Sequence, residues 1–215
     1  YKVYLVSKKI EGMSPQSLRT YKCNLDDFFQ TVSKPLNQIT TNDIRVYLFG
    51  LSAKGNTNRT IDGKRLIIHT FLDWCVKEEY LTKNVCSRIN PIKFEAKPRE
   101  PLSDIELELV RDACKDYREK ALVELFYSTG CRVSEMVILK KADIDFRTKE
   151  VHLFGKGSKH RISYINARAE VALKKYWISR KGDSDSVIST VRQPYRGITK
   201  TQIEQIVRQI GERSG

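Results

Sequence analysis

Arg132 is the first of two cationic residues placed where a protein backbone can meet an anion. It belongs to the segment 130–135 (GCRVSE), in which one predicted helix ends and the next begins almost at once. Arg132 would therefore lie beside the N–H groups and the positive dipole end of a new helix. Its planar guanidinium can bind two phosphate oxygens together. The segment predicts an anion site, unless Arg132 pairs with Glu135 and has only a structural role.

Lys156 is the second of these residues and lies at the tip of a predicted hairpin. Gly155 and Gly157 flank it, so the backbone can turn tightly and approach another molecule closely. A lysine held there can reach into a groove and give a proton to a leaving oxygen. The neighbouring segment 159–161 (KHR) adds charge that suits phosphate contacts. The alternative is an ordinary solvated loop lysine.

The elements before residue 90 are all predicted to be helices. Apolar residues recur at spacings of three and four over about 14–32, 40–51 and 57–79. Together with the segment before Gly12 they predict a small four-helix domain. The residues predicted to face its core are Leu18, Tyr21, Leu25, Phe28, Phe29, Val32, Ile44, Tyr47, Leu48, Leu51, Ile61, Leu66, Ile67, Phe71, Leu72 and Cys75.

The proline-rich segment 90–101 has no periodicity and predicts an extended linker. Beyond it the pattern mixes helices with two alternating runs, 151–154 and 161–165, that predict a β-hairpin. A short earlier strand is predicted near Asp145. The predicted fold class is mainly α with a small antiparallel β-sheet. Its domains are a helical domain at 1–90, a linker at 91–101 and an α+β domain at 102–215.

The charge of the chain favours a polyanionic partner. The 215 residues include 39 Lys and Arg against 26 Asp and Glu, for a net charge of +13. The excess is +7 before Pro98 and +6 in the remainder, so both predicted domains are basic. Such a field attracts nucleic acid, whose phosphates supply most non-specific affinity. The composition predicts a nucleic-acid partner, with a ribosome-like or merely basic soluble protein as the alternative.

The cysteines and the hydropathy exclude several other classes. Five cysteines are widely spread with no C-x-x-C pair, which argues against a disulfide framework and a cysteine zinc site. There is no apolar run of about 18 residues and no signal-peptide pattern at the start. We therefore expect no cysteine-bound zinc, no membrane partner, and the reduced cysteines of a cytoplasmic protein.

Three segments together resemble one family. The segments 127–136 (YSTGCRVSEM), 143–145 (DID) and 155–161 (GKGSKHR), in this order and with a helix-to-strand change between them, are similar to the tyrosine recombinase (phage integrase) family. Residues 1 to about 90 resemble its helical, SAM-like core-binding domain. Residues from about 98 onward resemble roughly the first two-thirds of its catalytic domain. The resemblance suggests a mobile element such as a phage or transposon, a place in the bacterial cytoplasm or nucleoid, and no metal or other cofactor.

The resemblance implies metal-free phosphoryl transfer on DNA. In the family, a tyrosine attacks the scissile phosphate, and a hydroxyl of a second strand later reverses the 3′-phosphotyrosyl link. Arg132 matches the arginine that stabilises charge on the phosphorus, and Lys156 matches the general acid for the leaving 5′-oxygen. Glu135 matches an acidic position that orders the arginine region.

Departures from the family pattern limit what this chain can do. Cys131 replaces a common leucine, and the segment 163–164 (SY) replaces a frequent valine-proline. The family's His-x-x-Arg motif, a further His or Trp, and its nucleophilic tyrosine find no match, and no catalytic position matches Tyr127, Tyr195, His69, His152 or His160. We expect a C-terminally truncated recombinase that binds DNA without cleaving it.

The resemblance also implies a double-stranded DNA partner, which the two domains clamp while the linker crosses the double helix. Family members act as tetramers on paired sites, whereas this chain is expected to be a monomer without DNA. The candidate DNA-binding residues are Arg19, Lys22, Thr57, Asn58, Arg59, Thr60, Lys64 and Arg65 in the first domain, and Lys159, Arg161, Thr199 and Lys200 in the second.

Two alternative functions remain open from the sequence. A DNA-binding accessory or regulatory protein could use the same fold only to occupy sites. A metal-dependent nuclease could use Asp143, Asp145 and Glu150, although acidic residues near a turn are usually structural.

Overall fold

The computed structural model describes residues 1–95, 98, 100–155 and 160–215. The chain divides into two compact units, Tyr1–Pro98 and Arg99–Gly215. The described residues are mostly helical with one small antiparallel sheet, so the predicted fold class is confirmed. No described helix is both long and apolar enough to cross a bilayer.

The described residues of the first unit form four α-helices, and three of these begin at a residue whose side chain caps the helix. Ser14 accepts a hydrogen bond from the Ser17 N–H, Thr40 forms a capping box with Asp43, and Thr57 accepts from the Thr60 N–H. The helices are α1 (Lys2–Ile10), α2 (Pro15–Val32), α3 (Thr41–Ala53) and α4 (Asn58–Lys77). Their apolar faces meet in a core rich in aromatic side chains, which includes Tyr4, Phe28, Tyr47, Phe71 and Trp74.

The prediction that Leu66 of α4 faces the core is wrong. Leu66 is 52% exposed, whereas its neighbours Ile67 and Ile68 are buried. The inward stripe of α4 follows Ile61, Arg65 and Ile68 at helical spacing, so Leu66 faces away from it. The Arg65 side chain faces inward and is buried, although a charged side chain is usually exposed.

The second unit contains five helices and three strands among its described residues. The helices are α5 (Asp104–Asp112), α6 (Tyr117–Thr129), α7 (Val133–Ile138), α8 (Ala167–Ser179) and α9 (Lys200–Ser214). The strands are β1 (Ile144–Asp145), β2 (Glu150–Phe154) and β3 (His160–Tyr164). Their antiparallel order is β1-β2-β3, so the predicted hairpin and the short earlier strand are both present.

The register of the sheet decides which side chains reach the core. Phe154 pairs with His160, and Leu153 pairs with Arg161. Val151 and Leu153 are fully buried, and alternation places Arg161 and Ser163 on the same inner face. His152, Phe154 and His160 therefore lie on the outer face.

Candidate active site

The turn between α6 and α7 fixes the position of Arg132. Helix α6 ends at Thr129, and Gly130 follows in the left-handed conformation at φ 57°, which glycine adopts without a Cβ penalty. The buried Cys131 donates its N–H to the Thr129 hydroxyl at 3.2 Å. Arg132 then precedes the first residue of α7. The predicted close succession of two helices is present.

Glu135 holds Arg132 by both its backbone and its side chain. One carboxylate oxygen of Glu135 accepts the Arg132 backbone N–H at 2.8 Å, and the other accepts from the Arg132 guanidinium at 2.8 Å. Glu135 is only 1% exposed, whereas the Arg132 side chain is 70% exposed. The predicted anion site and the predicted structural pair are thus compatible. A buried acid positions an arginine that still faces solvent.

Arg161 is a second cation bound to the same carboxylate. Its guanidinium donates to Glu135 at 2.8 Å and to the Gly130 carbonyl at 3.2 Å. Two guanidinium groups share one carboxylate, so the cluster keeps a net positive charge. Arg161 was predicted as a phosphate contact. Its observed bonds join β3 to the segment that carries Arg132, and the phosphate contact stays a prediction.

The charge state of Glu135 follows from these contacts. Burial by itself raises the pKa of a carboxyl group. Hydrogen bonds from Arg161, the Arg132 N–H and the Arg132 guanidinium outweigh burial and lower the pKa of Glu135 to about 2. The same bond to Glu135 raises the pKa of Arg161. Glu135 and Arg161 are both charged at neutral pH.

Serine hydroxyls also join strand β3 to the α6–α7 turn. Ser163 donates to the Thr129 carbonyl at 2.8 Å, and Ser128 donates to the Tyr164 carbonyl at 3.1 Å. Ser128 in turn accepts the Asn166 N–H at 2.7 Å. In the sequence, Ser163 and Tyr164 stand out only as departures from the family pattern. Strand alternation places Ser163 on the inner face of β3, and this alternation could have indicated that its hydroxyl contacts the α6–α7 turn.

The two lysines of the hairpin loop, Lys156 and Lys159, lie outside the described residues. The flanking positions are described: Phe154 pairs with His160, and Arg161 follows at once. Since Arg161 contacts Glu135, the strand that leaves the loop is hydrogen-bonded to the Arg132 cluster.

The acidic residues of the nuclease alternative serve the backbone. Asp143 accepts the Lys140 N–H at 2.8 Å, and Asp145 accepts the Arg147 N–H at 2.7 Å. Glu150 pairs with Asp145 across the β1–β2 ladder. Within residues 1–95, 98, 100–155 and 160–215, no three His, Cys, Asp or Glu side chains are grouped as metal ligands.

The DNA-binding candidates of the first unit fall into exposed and paired groups. Arg19, Asn58 and Arg59 are exposed. The Arg59 guanidinium lies 5.9 Å from the centre of the Phe94 ring, and the Asn58 amide donates to the Lys93 carbonyl. Thr57 and Thr60 are exposed too, but their hydroxyls bond each other at the start of α4.

The lysines and Arg65 carry carboxylate partners. Lys22 pairs with Asp26 at 2.7 Å, and Lys64 pairs with Asp27 at 2.6 Å. Arg65 is 6% exposed and donates to Asp62 at 2.7 Å. The Arg65 prediction does not fit this placement, because a buried, paired guanidinium cannot reach a phosphate.

The second-unit candidates on α9 face solvent. Thr199 caps α9 by accepting the Gln202 N–H, and Lys200 opens the helix. The Lys200 side chain is 65% exposed, and its ammonium lies 3.5 Å from the Glu204 carboxylate. Both residues are accessible to a large partner.

Each of the two units matches the model of a known protein family. The Phage integrase family matches residues 100–215, and the Phage integrase N-terminal SAM-like domain matches residues 1–79. Tyrosine recombinase XerC of Thermodesulfovibrio yellowstonii is 31% identical over 176 residues. That match covers 80% of this chain and 58% of the relative, so the chain spans about three-fifths of the relative's length.

Solved structures show the same fold. A lambda integrase dimer bound to a COC′ core site matches with a TM-score of 0.82 at 18% identity, over 100% of this chain and 80% of that one. A lambda integrase tetramer bound to a Holliday junction matches with a TM-score of 0.81 at 16% identity, over 100% and 65%. The family matches extend over both units, and the chain belongs to the phage integrase family of tyrosine recombinases.

Proposed function

We propose that these 215 residues bind duplex DNA and hold one backbone phosphodiester against Arg132, as part of a site-specific DNA recombinase. The observation that carries the proposal is the exposed Arg132 guanidinium fixed by a buried Glu135 that Arg161 also binds. A pre-positioned guanidinium can stabilise charge on a phosphorus without reorganising during the reaction. The basic charge of the chain supports the same partner.

Each residue then has a distinct task in phosphoryl transfer. A tyrosine oxygen forms a bond to phosphorus while the bond from phosphorus to the 5′-oxygen breaks. Arg132 neutralises the charge that accumulates on the phosphoryl oxygens, and Lys156 gives its proton to the departing oxygen. Glu135 and Arg161 position Arg132. A 5′-hydroxyl of a second strand reverses the sequence of bonds and restores the tyrosine.

We further propose that a polypeptide of these 215 residues binds DNA without cleaving it. None of the ten tyrosines in the sequence follows a His-x-x-Arg motif, which is the context of the family's nucleophile. The lambda integrase structures, one a dimer and one a tetramer, support assembly on paired DNA sites. The polypeptide alone is expected to be a monomer in the absence of DNA. Its place of action is the DNA-containing compartment of the cell.

The test compares two exposed arginines of the second unit. We expect Arg132→Ala to weaken binding of a labelled DNA duplex about fivefold to tenfold at low salt, since one phosphate contact is lost. Arg168→Ala is the matched control, because the Arg168 side chain is 62% exposed and its observed carboxylate partner is Glu108, not Glu135. Fluorescence anisotropy measures both affinities.

Two results would contradict the proposal. Equal losses for Arg132→Ala and Arg168→Ala would remove the special role of Arg132. A covalent protein–DNA adduct on a nicked suicide substrate would show cleavage by a nucleophile within these 215 residues.

A further inference from the structure

Two histidines form a close pair on the outer face of the hairpin. His152 lies on β2 and His160 on β3, on the diagonal of the antiparallel ladder. Nδ1 of His152 and Nε2 of His160 are 3.2 Å apart, whereas the two ring centres are 5.2 Å apart. The two nitrogens thus lie within hydrogen-bonding distance of each other. The DNA-cleavage chemistry proposed above uses neither residue.

The pair is separate from the Arg132 cluster. Strand alternation places His152 and His160 on the face opposite Arg161 and Ser163, which contact the α6–α7 turn. The Phe154 ring packs beside His160 with its centre 5.0 Å away. This contact limits the directions in which the His160 ring can turn.

The spacing of the nitrogens is that of two imidazoles on one metal ion. Zinc–nitrogen bonds are about 2.0–2.1 Å long, so a tetrahedral ion holds two nitrogen ligands about 3.3 Å apart. Imidazole nitrogen suits Zn²⁺, Ni²⁺ and Cu²⁺, whereas Mg²⁺ and Ca²⁺ prefer oxygen ligands. To direct both lone pairs at one ion, each ring must turn away from the direct contact between the two nitrogens.

We propose that His152 and His160 form a two-imidazole site for a divalent transition metal such as Ni²⁺, Zn²⁺ or Cu²⁺. The pair supplies two ligands, and water fills the other coordination positions. In the neutral pair one N–H lies between the rings. On metal binding this proton moves to the outer nitrogen of the same ring, so both facing nitrogens offer a lone pair.

A bound metal would join the two strands beside the loop that carries Lys156. His152 lies three residues before Gly155, and His160 directly follows the loop. Cross-linking β2 to β3 there reduces the freedom of the hairpin ends. A bound metal would thus make the hairpin more rigid whether or not DNA is present.

The test titrates Ni²⁺ and Zn²⁺ into the chain by calorimetry, without a polyhistidine tag. All variants carry Cys23→Ser, because Cys23 is exposed and could bind these metals itself. We expect one ion per chain, no binding of Mg²⁺, and a higher melting temperature with metal. His152→Ala and His160→Ala should each lower the affinity at least about tenfold.

The remaining histidine provides the matched control. His69 lies on α4, where its Nδ1 is 3.1 Å from a carboxylate oxygen of Asp73. We expect His69→Ala to keep the parent affinity. If the His152→Ala/His160→Ala double variant binds Ni²⁺ as tightly as the parent, or the parent binds no stoichiometric metal, the proposal is overturned.

Discussion

At the residue scale, Glu135 determines how Arg132 is presented. Its carboxylate is buried, and among the described residues its hydrogen bonds come from Arg132 and Arg161. The sequence predicted that Glu135 could pair with Arg132, because the two are three residues apart at the start of a helix. It could not predict the bond to Arg161, which is 26 residues away and depends on the sheet register.

Replacing Glu135 by glutamine tests this arrangement. Glu135→Gln keeps the shape but leaves two guanidinium groups without a counter-charge. We expect the free energy of unfolding to fall by about 2 kcal/mol, less than for a fully buried pair because both arginines are partly exposed. Urea denaturation measures it. Glu108→Gln, at an exposed carboxylate with two arginine partners, should cost far less.

The pH dependence of stability has a direction set by the same residue. The folded chain lowers the pKa of Glu135 from 4.5 to about 2, so its ionised form stabilises the fold above pH 4.5. This contribution is lost as the pH falls from 4.5 toward 2. We expect the free energy of unfolding, measured by urea denaturation, to decrease less between about pH 5 and pH 3 for Glu135→Gln than for the parent. Equal decreases would assign the acid sensitivity to other carboxylates.

At the element scale, α4 shows what periodicity alone can miss. The prediction selected Leu66 for the core because it is apolar, whereas helical spacing from Ile61 leads to Arg65 and Ile68. Burial of Arg65 depends on Asp62, which also accepts the Ile92 N–H at 2.9 Å. That bond comes from a segment after the helix. The α4 sequence could not predict this burial of Arg65, because the Ile92 N–H that helps to fix Asp62 lies outside the helix.

Strand β3 gives the element-scale prediction. Ser163→Ala removes the hydroxyl that donates to the Thr129 carbonyl at 2.8 Å, and one bond between β3 and the α6–α7 turn is lost. We expect a destabilisation of about 1 kcal/mol, measured by urea denaturation. Ser52→Ala, at an exposed position of α3, is the matched control. An unchanged stability for Ser163→Ala would mean that water replaces the bond without cost.

At the scale of the whole molecule, both units carry excess positive charge. The excess charge is +7 in residues 1–97 and +6 in the rest. Each unit has an exposed candidate DNA contact, which is Arg59 in the first unit and Lys200 in the second. If both units contact one duplex, each lost phosphate contact should reduce the slope of log affinity against log salt by about 0.9. Separate surfaces on one ligand should give additive effects.

A double variant tests whether the two units act on the same DNA. We expect Arg59→Gln and Lys200→Gln each to flatten the salt slope by about 0.9, and the double variant to flatten it by about 1.8. The control pair is Lys34→Gln with Lys174→Gln, since both lysines are already neutralised at 2.6 Å by Asp43 and Glu170. Anisotropy between about 50 and 200 mM salt gives the slopes. A double variant no flatter than one single variant would restrict DNA contact to one unit.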